Sequence, residues 1–154
     1  RSSSLDVVKP NRLKIDERMI TDPLTVDDFK DTLVIFDDID VISDKKFREA
    51  VYQVLNAILE TGRHTKTSVC ISNHLPTAGK DTRRVLNECH AVVYFPHSGS
   101  AKALKYLLTE YLGLDKMSMS KIKKLKTRWA CIFKNYPTIA MTEQNMWLLA
   151  DDDD

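Results

Sequence analysis

Glycine is scarce in this chain. Only Gly62, Gly79, Gly99 and Gly113 occur among 154 residues, and no GxxxxGK[ST] pattern can be built from them. Gly79-Lys80 lacks the leading glycine and is followed by Asp81. A loop of backbone N–H groups that cradles phosphates is therefore not encoded in these residues. Cysteine is equally sparse. Cys70, Cys89 and Cys131 are widely spaced and odd in number, which excludes a disulfide framework. Cys70 and Cys131 lie in apolar runs and read as small core residues. Cys89-His90 has no CxxC or HxxxH partner, so a zinc site is not expected. No apolar run reaches the length of a membrane span. No signal peptide is visible, and the chain opens on Arg1, which suggests a fragment, a processed product or an incomplete gene call.

A composition with 43% hydrophobic and 29% charged residues suits a globular α/β domain. The net charge of +1 hides an asymmetry. Residues 16–44 carry ten Asp or Glu against Arg18 and Lys30, whereas residues 100–134 carry nine Lys or Arg against Glu110 and Asp115. Such a division permits a nucleic-acid contact without requiring one.

Residues 1–30 form an N-terminal segment of weak periodicity, broken by Pro10 and Pro23. Leu5–Val8 and Leu13–Ile15 are short strand candidates, and Thr25 with Asp28 forms a capping box over one helical turn. The organised part is expected over residues 31–150, with Asp151–Asp154 as an acidic tail. Leu33-Val34-Ile35-Phe36 is a short apolar run ending in Asp37-Asp38, which reads as a strand buried on both faces. Ser43 is a suitable N-cap for a helix over about 44–61, with Phe47, Val51, Val54, Leu55, Ile58 and Leu59 on one stripe and Gly62 as its stop. Strands are expected at 69–72 and 91–95, with a loop between them. A helix presenting Leu104, Leu107, Leu108, Tyr111 and Leu112 follows, then a basic helix over Ser118–Lys126. Strands at 129–133, 138–141 and 146–149 close the chain, the last two as a hairpin. Strand–helix–strand order favours a mostly parallel sheet with its ligands at the carboxyl strand ends.

Those ends carry the candidate chemistry. Asp37 and Asp38 suit magnesium-dependent phosphoryl transfer, one carboxylate holding the metal and its neighbour orienting water. A solvated turn after a buried strand is the simpler alternative. Asn73, at the end of the next strand, is a candidate γ-phosphate sensor or a turn residue. His74 reads as structural or substrate-facing. Arg63, with Arg83 and Arg84 as alternatives, could neutralise transferred phosphate charge. Lys121, Lys123, Lys124, Lys126 and Arg128 form a basic cluster that either meets nucleic-acid phosphates or is a solvated face.

The pieces LVIFDDID, ILETGRH, SVCISNHLP and LNECHAVVYFP, followed by TRWACIFKNYP and a hairpin, resemble the FtsK–HerA superfamily of P-loop ATPases. The nearest resemblance is to the poxvirus-type DNA-packaging ATPases of large DNA viruses, over roughly residues 30–149. The resemblance implies a partial P-loop NTPase core of the RecA/ASCE-like kind, ATP and Mg²⁺ as cofactors, and double-stranded DNA as partner. It implies Asp37 as Mg²⁺ ligand and Asp38 as catalytic carboxylate, where the family more usually has Glu. Asn73 falls where related translocases have a glutamine sensor, and Arg63 falls on a helix-end arginine. A homo-oligomeric ring, contact with capsid or portal components, and residence in the host cytoplasm and the virion follow from the same resemblance. The P-loop of the family lies further upstream of this carboxylate pair than the 36 residues before Asp37 allow. The expected activity is ATP-driven DNA translocation in a complete protein, and the chain as it stands should bind ATP weakly or not at all. Two other readings stay open. One is a non-catalytic degenerate ATPase module that binds DNA or a partner subunit. The other is a metal-dependent nuclease using Asp37, Asp38 and Asp40.

Overall fold

A computed structural model describes residues 7–74, 79–98 and 100–149, without the side chains of 79–81. Of the strand candidate at Leu5–Val8, Leu5 and Asp6 lie outside the described residues and Val7 and Val8 form a turn; the acidic tail lies outside them altogether. The chain divides into two compact units, residues 1–74 and 75–154.

The first unit is a βαβ element with a short lead-in. A single turn, α1 (Arg18–Thr21), precedes a 3₁₀ turn over Val26–Phe29. Thr25 closes that turn as expected: its N–H and its hydroxyl both donate to Asp28 Oδ2, at 2.7 and 2.9 Å. These bonds hold the Asp28 carboxyl below the usual carboxylate range. Leu13–Ile15 forms no strand. Strand β1 (Leu33–Asp37) pairs parallel with β2 (Ser68–Ser72), in register from Leu33↔Ser68 to Asp37↔Ser72. The connection is α2 (Lys45–Thr61), which buries Val51, Val54, Leu55 and Ile58 along the stripe that the sequence spacing predicts. The N-cap is Asp44 rather than Ser43. One carboxylate oxygen of Asp44 accepts from the Lys46 and Phe47 N–H groups, and a carboxylate also suits the positive helix end. Gly62 stops the helix without entering the left-handed region.

β1 is buried on one face only, not on both. Val34 and Phe36 turn inward, whereas Leu33 and Ile35 are 62% and 53% exposed. Their neighbours on β2, Ser68 and Cys70, share that outer face, so the exposed thiol of Cys70 is not a core residue. The physical reason is that a single connecting helix can cover only one side of a two-stranded sheet.

The second unit packs helices against one face of a four-stranded antiparallel sheet. Its order is β3 (Ala91–Tyr94), β4 (Ala130–Phe133), β5 (Thr138–Thr142) and β6 (Met146–Leu149). α3 (Gly79–Glu88) precedes β3, and α4 (Ala101–Tyr106), running into a π turn over Leu107–Tyr111, and α5 (Lys116–Lys123) lie between β3 and β4. Leu86, Leu108, Met119 and Ile122 meet Tyr94, Ala130, Ile132 and Ala140 in one core. Cys131 is buried, as its apolar setting suggests. The chain is thus mixed α/β, but the expectation of a mostly parallel sheet holds for β1 and β2 alone. β3 joins β4 antiparallel instead, with Tyr94 turned into the core and Val93 left exposed. That alternation marks a strand covered on one side.

The loop expected before β3 holds helix α3. Thr82, Val85 and Leu86 are buried at helical spacing. Lys134 ties its end to the sheet by donating from Nζ to the carbonyls of Leu86 and Asn87, at 2.7 and 2.9 Å. A cation among free carbonyls at a helix C-terminus is favourable. The basic helix starts two residues earlier than expected and ends earlier. Asp115 caps it by accepting from the Ser118 N–H at 2.7 Å, and the Ser118 hydroxyl together with that N–H lowers the Asp115 carboxyl's affinity for a proton.

Candidate functional site

The carboxyl ends of β1 and β2 bring together Asp37, Asp38, Asp40, Asn73 and His74, all within the first unit. Asp37 is the last residue of β1, stands beside Ser72 and is exposed. By strand alternation its side chain lies on the outer face with Leu33 and Ile35. Asp38 leaves that alternation. Its backbone enters the left-handed region (φ 52°, ψ 35°) as its N–H bonds to the Ser72 carbonyl at 3.3 Å. A residue other than glycine in that region is strained, aspartate less so than most. The turn starts the short 3₁₀ segment Ile39–Val41, whose Ile39 is buried.

Two contacts lock the strand ends to each other. His74 Nε2 lies 3.0 Å from Asp38 Oδ1, and the His74 backbone N–H donates to Asp40 Oδ2 at 3.2 Å. Both side chains of the first contact are substantially exposed, which limits the strength of that pair. The sequence reading took His74 as structural or substrate-facing and Asp40 only as a ligand in the nuclease alternative, and did not pair either with its partner here. The signal for them was available: Asp40 follows one residue after the carboxylate pair, and His74 follows Asn73 directly. The Oδ1 atoms of Asp40 and Asn73 are buried and have no hydrogen-bond partner. Each is an acceptor removed from water without a donor, an arrangement rare enough to need a cause.

Among the described residues no group of three or more His, Cys, Asp or Glu side chains is arranged to hold a metal ion. A single carboxylate with waters remains sufficient for Mg²⁺.

Arg63 is not brought to these carboxylates. It follows α2, in the turn that leads to the amino end of β2. The same turn is held near the start of β1: the Asp31 N–H donates to the Thr65 carbonyl at 2.9 Å, and the Thr67 hydroxyl donates to the Phe29 carbonyl at 2.8 Å. Five strand residues separate that end of the sheet from Asp37, on the order of 15 Å. Arg63, exposed, therefore sits at the opposite end of this sheet from the site of its own chain. Arg83 and Arg84 lie on α3 in the second unit, both exposed.

The basic cluster also belongs to the second unit. Lys121, Lys123, Lys124, Lys126 and Arg128 are all exposed, while Ile122 is buried and Leu125 and Trp129 are half-buried. The apolar members pack inward and the five cations point outward.

No protein-family model matches the chain, and no solved structure matches it. Among curated proteins it is similar to "Uncharacterized protein V3" of Sputnik virophage. The two are 43% identical over 118 residues, which covers 75% of this chain and 48% of that protein. The chain thus spans about half the length of that curated relative. No helix among the described residues is long and apolar enough to cross a membrane.

Proposed function

We propose that these residues are the carboxylate-bearing part of a P-loop ATPase that moves double-stranded DNA, with packaging of a viral genome as the expected task. One observation carries the reading: an adjacent carboxylate pair, Asp37 and Asp38, ends a strand whose parallel neighbour ends in Asn73. Nucleotide chemistry in parallel α/β sheets occurs at such ends. Asp37, exposed at the rim, is the candidate Mg²⁺ ligand. Asp38, oriented by His74, is the candidate general base or water-positioning group. The unpaired acceptors of Asp40 and Asn73 suit a rim that receives water or the water shell of a cation. Mg²⁺ would supply charge neutralisation at the phosphates. The residues that should cradle those phosphates are missing from this sequence, and the greater length of the relative, only 48% of which is matched, supports their supply by further polypeptide. Arg63, at the far end of α2, suits an arginine acting on another subunit, as in a homo-oligomeric ring. Host cytoplasm and virion, with capsid or portal components as partners, are the settings this activity implies. The viral source of the relative agrees with them.

The test is Mg-ATP binding by calorimetry to the 154-residue chain and to a form extended upstream through a GxxxxGK[ST] sequence. Binding is expected in the extended form alone, and Asp38→Asn there should abolish turnover while leaving binding intact. Equal turnover in mutant and parent removes Asp38 from the mechanism.

A second reading, a non-catalytic module that binds DNA or a partner subunit, is favoured by the exposed basic cluster in a chain without a phosphate loop. It predicts no nucleotide binding by either form. The nuclease reading has less support, because Asp37, Asp38 and Asp40 do not converge as a metal cluster.

A further inference from the structure

The outermost strand of the antiparallel sheet lacks the usual protection of a sheet edge. Among the described residues, β6 pairs with β5 on one side only and ends the strand order. Its residues are Met146, Trp147, Leu148 and Leu149, with no charge and no proline among them. Met146 and Leu148 are 68% and 64% exposed, and Trp147 is exposed as well. Free edges normally carry lysine, proline or a bulge, because unpaired backbone groups invite another strand.

The hairpin shows which backbone groups are free. The Thr142 N–H bonds to the Asn145 carbonyl at 2.8 Å, so that pair is a hydrogen-bonded one. Bonded and non-bonded pairs alternate along an antiparallel ladder. With the register Met141↔Met146 and Ala140↔Trp147, Trp147 and Leu149 direct their backbone groups toward β5. Met146 and Leu148 direct theirs outward, where the ladder stops.

We propose that β6 pairs antiparallel with β6 of a second copy of this chain, joining two four-stranded sheets into one of eight. About a two-fold axis at Trp147, the outward groups of Met146 in one copy meet those of Leu148 in the other, and the reverse. This closes the free edge of both copies in one isologous contact. An uncharged strand complements itself, whereas a charged partner would find no opposite charge along it. The sequence beyond the strand also selects the direction. Asp151–Asp154 follow Leu149 closely, so a parallel, in-register pairing would set two runs of four carboxylates side by side. The antiparallel register separates the two runs. Antiparallel pairing uses up the only edge it needs, so association ends at two copies. The contact is small, below the roughly 1,200 Å² of a stable specific interface, so the dimer is a weak one. The inference is independent of the nucleotide reading.

Sedimentation equilibrium on the whole chain, from about 1 to about 200 µM, reads the outcome. The mass should rise from 17.7 kDa toward twice that value, without larger species. Leu148→Pro removes the outward N–H while sparing the β5–β6 bonds, and Leu148→Lys adds a charge to the edge. Both should weaken the dimer at least tenfold with the circular dichroism spectrum unchanged. The lysine variant keeps the test valid where the proline variant misfolds. A wild-type chain that stays monomeric throughout, one that grows beyond two copies, or a Leu148→Lys variant that dimerises as tightly as its parent each overturns the proposal.

Discussion

Tyr94 packs its ring into the core of the second unit, and its hydroxyl is buried without a hydrogen-bond partner. Burial pushes its pKa up to about 12, because a phenolate there would lose its hydration. A raised folded-state pKa gives stability that is complete below the unfolded value near 10 and is lost as pH climbs toward 12. Tyr94→Phe should therefore be neutral or stabilising, by about 1 kcal/mol at neutral pH, since it deletes an unpaired polar atom and keeps the ring. It should also flatten the decline between about pH 10 and 12. Urea titrations of both proteins across that range provide the check, and a loss of several kcal/mol at pH 7 would mean that the hydroxyl has a partner. Sequence could place Tyr94 in a strand. It could not show that the hydroxyl end is the buried one, because that depends on which face of β3 the helices cover.

Among the elements, α2 was the most legible. Six apolar residues at helical spacing, Ser43-Asp44 at the start and a terminal glycine defined its span to within a residue or two. The role of Gly62 was less visible. Its backbone is right-handed (φ −57°), yet a Cβ there would come within 2.5 Å of the Ile58 carbonyl oxygen and 3.0 Å of Ile58 Cγ2. The requirement is for space rather than for a special dihedral angle. Gly62→Ala is expected to destabilise the protein by about 1–3 kcal/mol, the range for overpacking, although alanine is the better helix former. Chemical denaturation decides the sign, and a stabilised variant would show that the turn yields freely. The sheets were legible strand by strand but not in their pairing. A four-residue apolar run reads alike in parallel and antiparallel neighbours, and β3 was assigned to the wrong kind. α3 was missed because, among its described side chains, only Thr82, Val85 and Leu86 mark the buried side.

For the molecule as a whole, the acidic and basic stretches fall in different units. The five exposed cations from Lys121 to Arg128 are the chain's best candidate for a phosphate-backbone contact. Replacing Lys121, Lys123, Lys124 and Lys126 by glutamine should reduce duplex DNA affinity by about tenfold or more at low salt and flatten its salt dependence. An unchanged affinity would identify the cluster as a solvated face. The site was legible only as a list: Asp37, Asp38 and Asn73 announce themselves at strand ends. Their locking by Asp40 and His74, and the remoteness of Arg63, depend on a register that no local pattern reveals. The left-handed turn at Asp38 also bears on how the chain can change over generations. Glycine fits that backbone more easily than any other residue, and a single nucleotide separates an aspartate codon from a glycine codon. In a lineage where the carboxylate is no longer needed, position 38 has an easy exit to a more relaxed fold. Aspartate held there against that drift would be the mark of a chemistry still in use.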